Sequence, residues 1–268
     1  MDSTQSKWTP EALREVSAGL EGRLPEDILL WGLDHFGGEK AQSSAQTDGR
    51  QGIALATGFG PEGVVLMHML SQLLQLAPRP DGDSMSQLAP GTTVFYTDTD
   101  LLFEETYALR DELSARLGIQ FTRLHSGLSL EAQAAQHGPA LWSRDPDLCC
   151  QLRKVAPLRQ FLRSKQAWIS AIRRDQTANR ASAGLVEWDR SNGLVKLNPL
   201  AAWTTSQVWS YVLKYQLPYN PLHDQGYPSI GCWPCTKAVA AGADPRSGRW
   251  AGREKTECGI HLPAAQPA

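Results

Sequence analysis

The sequence contains no apolar run approaching the roughly 20 residues that a membrane-spanning helix needs, and Met1 to Pro10 lack the basic-then-apolar order of a signal peptide. Neither sign of charge dominates: 26 Lys and Arg against 28 Asp and Glu leave a formal net charge of -2. No global basic field therefore directs the chain to nucleic acid. Cysteine is scarce, with five in 268 residues, too few for a disulfide-stapled secreted scaffold. These absences imply a cytoplasmic chain with no nucleic-acid or membrane partner. What is present suits one or two globular domains: 41% hydrophobic residues, with nine Trp, six Tyr and six Phe to fill a core.

Strand and helix signals alternate along the chain. Thr9-Pro10-Glu11 reads as a helix start, with Thr9 as N-cap and Pro10 at the first helical position. A polar, small-residue loop is predicted over residues 37–51. Ile53 to Ala56 is a short apolar run, followed by the turn Thr57-Gly58-Phe59-Gly60-Pro61-Glu62-Gly63 and an apolar helix from Val64 to Leu76. Pro78, Pro80, Gly82 and Pro90 mark an exposed loop up to Gly91. A second strand, Thr93 to Thr97, runs into Asp98-Thr99-Asp100, residues suited to capping a helix from about Leu101 to Leu117. That helix would carry Leu102, Leu109, Leu113 and Leu117 on one face. Ile119 to Leu124 and Ala167 to Ile172 read as further strands, and Thr204 to Gln207 as a capping box opening a helix to about Tyr215. The pattern predicts an α/β fold, a mostly parallel sheet with helices on both faces. Two regions are expected: residues 1–239 as the α/β domain, and 240–268, without periodicity, as a flexible C-terminal segment ending in a disordered tail.

Three features carry chemistry. A glycine-rich connection from strand to helix exposes backbone N–H groups at the positive end of the helix dipole, so Thr57, Gly58 and Gly60 are candidates for anion binding. Residues 151–180 hold eight basic side chains and one acidic one, a local net charge of +7. Within that run Arg173 and Arg174 directly follow a strand, where open α/β sheets bind ligands, so a small nucleotide-like anion is expected there. Finally, Cys149-Cys150 and Cys232-Trp233-Pro234-Cys235 read as a metal or redox site. The C-x-x-C half suits zinc or iron-sulfur alike. Adjacent cysteines on a helix diverge by about 100°, which weighs toward a wide multi-iron cluster. Lys154 follows Cys150 by four residues and can offset the charge of such a site. Cys258, near Arg246, Arg249, Arg253 and Lys255, is a candidate nucleophile because nearby cations favour its thiolate.

Taken together, these residues resemble the assimilatory adenylyl-sulfate (APS) reductases, relatives of the phosphoadenylyl-sulfate (PAPS) reductases. The likeness spans Ile53 to His261. It rests on Cys149-Cys150-Gln151-Leu152-Arg153-Lys154-Val155 with Pro157-Leu158, on Pro218-Tyr219-Asn220-Pro221-Leu222-His223 to Gly231-Cys232-Trp233-Pro234-Cys235-Thr236, and on Glu257-Cys258-Gly259-Ile260-His261. Tyr96-Thr97-Asp98-Thr99, Ile172-Arg173-Arg174-Asp175-Gln176, Asn198-Pro199-Leu200 and Trp203-Thr204 support it. The resemblance implies an adenine nucleotide α-hydrolase-like fold and one 4Fe-4S cluster on Cys149, Cys150, Cys232 and Cys235. It also implies catalysis by Cys258 through a thiosulfonate that thioredoxin, or glutaredoxin, reduces to sulfite. Thr57, Gly58, Gly60, Lys154, Arg173, Arg174, Arg246, Arg249 and His261 become the candidate substrate-binding residues, with APS as substrate and PAPS as the alternative. A homo-oligomer stays open.

The chain departs from the resembled pattern where Thr57 or Gly58 replaces a serine, where Gly63 replaces an aspartate, and where Ile260 replaces a leucine. Two other classes remain: an ATP pyrophosphatase of similar fold, which needs no Cys258, and a metal-bearing redox-sensing module.

Overall fold

The structure, a computed structural model, describes residues 8–38, 49–76 and 91–261. Most of the loop expected at 37–51, nearly all of the loop expected between Pro78 and Gly91, and the expected tail Leu262 to Ala268 lie outside the described residues. Among the described residues, no helix is long and apolar enough to cross a membrane.

Six strands form one sheet: β1 Ile53–Thr57, β2 Thr92–Asp98, β3 Phe121–His125, β4 Ala167–Ile169, β5 Val186–Asp189 and β6 Leu194–Leu197. Their order is β3-β2-β1-β4-β6-β5, parallel except for the β5 edge, which pairs antiparallel with β6. Side-chain alternation supplies both faces with apolar groups. Ile53, Leu55, Val94, Tyr96, Ala167 and Ile169 face the larger core. There they meet helices α1 Pro10–Leu20, α2 Pro25–Phe36, α3 Pro61–Leu76, α4 Glu104–Leu117 and α9 Thr205–Lys214. Ala54, Phe95 and Trp168 point the other way, onto Leu158 and Leu162 of α8 Ala156–Leu162. The short helices α5 Leu130–His137, α6 Leu141–Arg144 and α7 Pro146–Cys150 lead into α8 through a π turn, Gln151–Val155. The sheet is thus covered on both faces, as the alternation predicts.

The caps behave as local chemistry requires. Thr9 Oγ1 accepts the Ala12 N–H (3.2 Å), and Thr204 with Gln207 forms a complete capping box. Helix α4 differs from expectation, starting at Glu104 rather than near Leu101. Leu101 and Leu102 stay outside it because they hold another segment: Leu101 O accepts the Trp233 N–H (2.8 Å), and Leu102 bridges Cys232. Asp98 and Asp100 do not cap α4, whose N-cap is Phe103 without a side-chain bond. Asp98 instead accepts the Asp100 N–H (3.0 Å), the Tyr107 hydroxyl (2.7 Å) and Arg123 Nε (2.6 Å). Strand β4 is shorter than predicted, ending at Ile169, and the β5–β6 hairpin was not anticipated. Asp189 closes that hairpin by accepting the Ser191 and Asn192 N–H groups.

Candidate functional site

Strands β1 and β4 are neighbours whose onward connections leave in opposite directions, β1 toward β2 and β4 toward β6, so a crevice opens at their carboxyl ends. It is lined by Gly58, Gly60 and Gly63 after β1, by Arg173 and Arg180 after β4, and by His223, Arg246, Arg249 and His261 from later segments. The crevice is open and about 900 Å³ in volume.

The glycine loop is shaped from below. Thr57 is buried and does not line the crevice; its hydroxyl accepts the Phe59 N–H (3.0 Å). Phe59 sits at φ +59°, in the left-handed region that bulky residues rarely occupy. Its ring is held against Tyr96 and Phe121 at 5.3 Å. A Cβ on Gly63 would stand 2.7 Å from Thr57 Oγ1, so any side chain there would collide with the hydroxyl that fixes the loop. The glycine at 63 thus leaves room for the hydroxyl at 57.

The adjacent arginines part company. Arg173 is buried, and its guanidinium is fully engaged, donating to Asp175 Oδ1 (2.9 Å), Thr205 Oγ1 (2.7 Å) and the Glu62 carboxylate. It brings positive charge to the crevice wall and ties the β4 end to the start of α3. Arg174 is not brought to the crevice, contrary to expectation. Its side chain donates to Ala183 O (2.8 Å) and pairs with Glu21, in the turn that follows β4.

Four buried nitrogens around the crevice have no hydrogen-bond partner among the described residues: Arg246 Nε, Arg249 Nε, His223 Nε2 and His261 Nδ1. Buried polar groups are ordinarily satisfied, so their concentration on one crevice is the chemistry of a polar ligand's seat. Burial pushes the Arg246 guanidinium pKa down, against the pull of Glu257. Burial also holds His261 well below the usual histidine range, helped by Lys196, Arg180 and Arg246. The His261 ring is neutral at pH 7 and lies parallel to Trp168, centroids 5.7 Å apart.

Beside the crevice lies a much smaller cavity, with room of about 10 Å³. Cys149 and Cys150 from α7, and Cys232 and Cys235 from the C-x-x-C turn, all line it, with Lys154, Thr99, Arg249 and Trp250. The π turn after Cys150 carries Arg153 and Lys154, and such turns concentrate at functional sites. Arg153 is 1% exposed and locks the turn to β2, donating to Thr99 O (3.0 Å), Asp100 Oδ2 (2.9 Å) and Gln133 Oε1 (2.7 Å). No three His, Cys, Asp or Glu side chains among the described residues form a site for a single metal ion. The four thiols line a cavity rather than converge on a point, a donor set suited to a group with several irons.

Burial pushes the Cys149 thiol up to about 11 and the Cys150 thiol up to about 12. Cys232 goes the other way: burial raises it, but Lys154, the Thr99 hydroxyl 3.2 Å from its sulfur and Arg249 together hold it below the usual thiol value. Lys154 mirrors this, since burial disfavours its charge while Cys232, Cys258 and Cys150 more than restore it.

Cys258 is half-buried and lies within the electrostatic reach of both Lys154 and Cys150. Its segment has no helix or strand and is held by side chains. Trp250 is buried, with its N–H on Cys235 O (2.9 Å); Lys255 pairs with Asp147; Glu257 is gripped by Arg180; Ile260 packs on the cluster around Trp168. Glu62, Thr99, Arg153, Arg180, His223 and Glu257 were not singled out in the sequence. Signals were available for each: the glycine turn for Glu62, the motifs that carry the resemblance for Thr99, Arg153, His223 and Glu257, and the basic run for Arg180.

The family model described as the phosphoadenosine phosphosulfate reductase domain matches residues 52–238. A Salinibacter ruber protein named adenosine 5'-phosphosulfate reductase is 48% identical over 97% of this chain and 92% of its own length. A Gloeobacter violaceus protein named phosphoadenosine 5'-phosphosulfate reductase is 46% identical over 93% of each chain. Among solved structures, the PAPS reductase from Candida auris in its phosphate complex is similar at TM-score 0.65 and 25% identity, covering 87% of this chain and 99% of the other. An FMN adenylyltransferase from Candida glabrata (TM-score 0.51, 15% identity, covering 92% and 85% of the two chains) shares the fold.

Proposed function

Because the chain belongs to the phosphoadenosine phosphosulfate reductase domain family, an oxidoreductase family acting on sulfur, we propose that it reduces adenylyl sulfate to sulfite and AMP with Cys258 as nucleophile. The observation that carries this reading is a juxtaposition: Arg249 lines both a crevice whose wall holds four unpartnered buried nitrogens and a four-thiol cavity, and the Lys154 ammonium in that cavity lies within electrostatic reach of Cys258.

The nucleotide would occupy the crevice, its phosphate against the N–H groups of the Gly58–Gly60 loop and the start of α3. Arg246, Arg249 and the neutral His261 would face the anionic groups, with Arg173 adding charge from behind. The Cys258 thiolate attacks the sulfate sulfur and forms an S–S bond; the bond from that sulfur to the phosphate oxygen breaks, and AMP leaves with its electron pair. The enzyme is left as a thiosulfonate. Thioredoxin, or glutaredoxin, supplies two electrons from its dithiol, which becomes a disulfide as sulfite leaves and the Cys258 thiol is regenerated. Lys154 places positive charge where the sulfate oxygens gather it in the transition state.

Cys149, Cys150, Cys232 and Cys235 are the residues that would hold one 4Fe-4S cluster, and the all-sulfur donor set around one cavity fits it. When bound, it supplies a fixed, thiolate-rich charge that tunes the field around Lys154. The working arrangement would be an α/β domain over residues 1–239 and a C-terminal segment, 240–268, that moves to meet both nucleotide and reductant. Such chemistry serves sulfate assimilation and cysteine biosynthesis in the cytoplasm.

Two relatives of nearly equal similarity carry different substrate names, so PAPS is the second reading. The test is turnover of each nucleotide with reduced thioredoxin. Equal amounts of sulfite and AMP from APS, with a higher KM for PAPS, are expected. Sulfite from PAPS alone would exchange the two substrates, and AMP with pyrophosphate from ATP without sulfite would overturn the reading.

A further inference from the structure

Among the described residues the C-terminal segment, 240–261, forms no helix or strand, so the position of Cys258 depends on a few side-chain anchors. One stands directly beside it. Glu257 is 4% exposed, and its carboxylate accepts Arg180 Nε (2.9 Å) and Nη2 (2.7 Å) as a two-pronged pair, with the Thr177 hydroxyl at 3.2 Å and Arg246 Nη2 at 3.4 Å. Both arginines also line the nucleotide crevice.

The grip continues back to the glycine loop. Arg180 Nη1 donates to Gln176 Oε1 (2.5 Å), and Gln176 Nε2 donates to Glu62 Oε1 (3.1 Å), at the start of α3. An unbroken chain of hydrogen bonds, Glu62 to Gln176 to Arg180 to Glu257, therefore joins the loop that would seat the phosphate to the residue preceding the nucleophile. A planar guanidinium meeting a carboxylate through two N–H groups fixes direction as well as distance. An apolar contact would bury area but would not set the angle at which the next residue leaves.

We infer that Glu257 is a positioning residue for Cys258, holding the nucleophile in register with the anion seat through Arg180 and Gln176. The inference rests on the reading of Cys258 as nucleophile and adds to it the device that aims the thiol.

The test uses the full-length holoenzyme and the variants Glu257→Gln and Arg180→Lys, which keep size and replace charge or fork. Iodoacetamide labelling of Cys258, followed by peptide mapping, reads its freedom independently of turnover. In Glu257→Gln, labelling at fixed pH should accelerate about tenfold, the ratio for a local opening eased by one decade. Its kcat for APS should fall about 10- to 100-fold with KM within about threefold, as expected when orientation rather than binding is lost. Glu257→Asp should recover part of both, and Arg180→Lys should shift labelling in the same direction. Unchanged labelling and kcat in both Glu257→Gln and Arg180→Lys would overturn the proposal. If Glu257→Gln fails to fold, Arg180→Lys decides alone. Failure of the underlying reading looks different: the wild-type enzyme itself would form no sulfonate on Cys258 with APS.

Discussion

The thiol cavity and the nucleotide crevice meet at Arg249 yet are made of opposite materials. The cavity is small, walled by Leu101, Trp142, Pro146 and Trp250 with four thiols, and buried enough to push Cys149 and Cys150 to about 11 and 12. The crevice is far larger, walled by glycines and arginines, with polar nitrogens left over. A dry pocket of thiols suits a group that is installed once and kept. A wet, cationic crevice at a strand switch point suits an anion that arrives and leaves each cycle. Lys154 belongs to the cavity wall, its charge sustained by Cys232, Cys258 and Cys150.

The sharpest way to break this division is Cys258→Ser. Sulfite release should fall by at least about a thousandfold, since an alcohol is a far poorer nucleophile than a thiolate at neutral pH, while AMP affinity measured by calorimetry stays unchanged. Next comes Lys154→Ala, expected to slow sulfonate formation about 100-fold in single-turnover experiments with iron content unaltered. Loss of iron in that variant would assign Lys154 to the thiol side alone.

The paired arginines sharpen the comparison within the crevice. Arg173→Ala should weaken AMP binding about 10- to 30-fold, because it would bare the Glu62 and Asp175 carboxylates, which Arg173 neutralises at the crevice wall, to the anionic nucleotide. Arg174→Ala should change affinity by less than about twofold, because its charge is spent on Glu21. Equal effects would mean that charge alone, not placement, governs the crevice.

The smallest effect concerns pH. Burial lowers the His261 pKa below 6.5, so the unfolded chain binds a proton that the folded chain refuses. Its stabilising contribution is present above about pH 6.5 and is lost as pH falls below that value. His261→Asn should flatten the decline in Tm between pH 7 and 5 by about 2–4 °C, the shift worth roughly 1 kcal/mol in a chain of this size. An unaltered slope would place the titration elsewhere, with His223 the next group lowered by burial.

How much of this was legible beforehand depended on whether meaning lay in spacing or in direction. The two cysteine pairs, the glycine turn between β1 and α3 and the capping box at Thr204 are local patterns, and the chain folds them where the sequence puts them. Direction was hidden. Nothing local distinguishes Arg173 from Arg174, yet in the turn after β4 the first meets Glu62, Asp175 and Thr205 while the second meets Glu21 and Ala183 O. Arg153 read as part of a basic run but is a buried clamp, because its partners at Thr99, Asp100 and Gln133 come from distant segments. The β5–β6 hairpin escaped notice because Lys196 interrupts its apolar run, and only the structure shows that lysine paired with Glu187 at 3.1 Å. Leu102 fitted a helical stripe, but its backbone was claimed by the C-x-x-C turn.

The central claim is that an anion seated in the crevice delivers its sulfur to Cys258 while the four cavity thiols stay unmodified. Intact mass of anaerobically purified, iron-loaded protein after incubation with APS, without thioredoxin, followed by peptide mapping, tests it most directly. The account predicts a single sulfonate adduct, on Cys258, formed with APS and cleared by reduced thioredoxin. No adduct with APS or PAPS in protein that retains its iron, or an adduct on one of the four cavity cysteines, would contradict it.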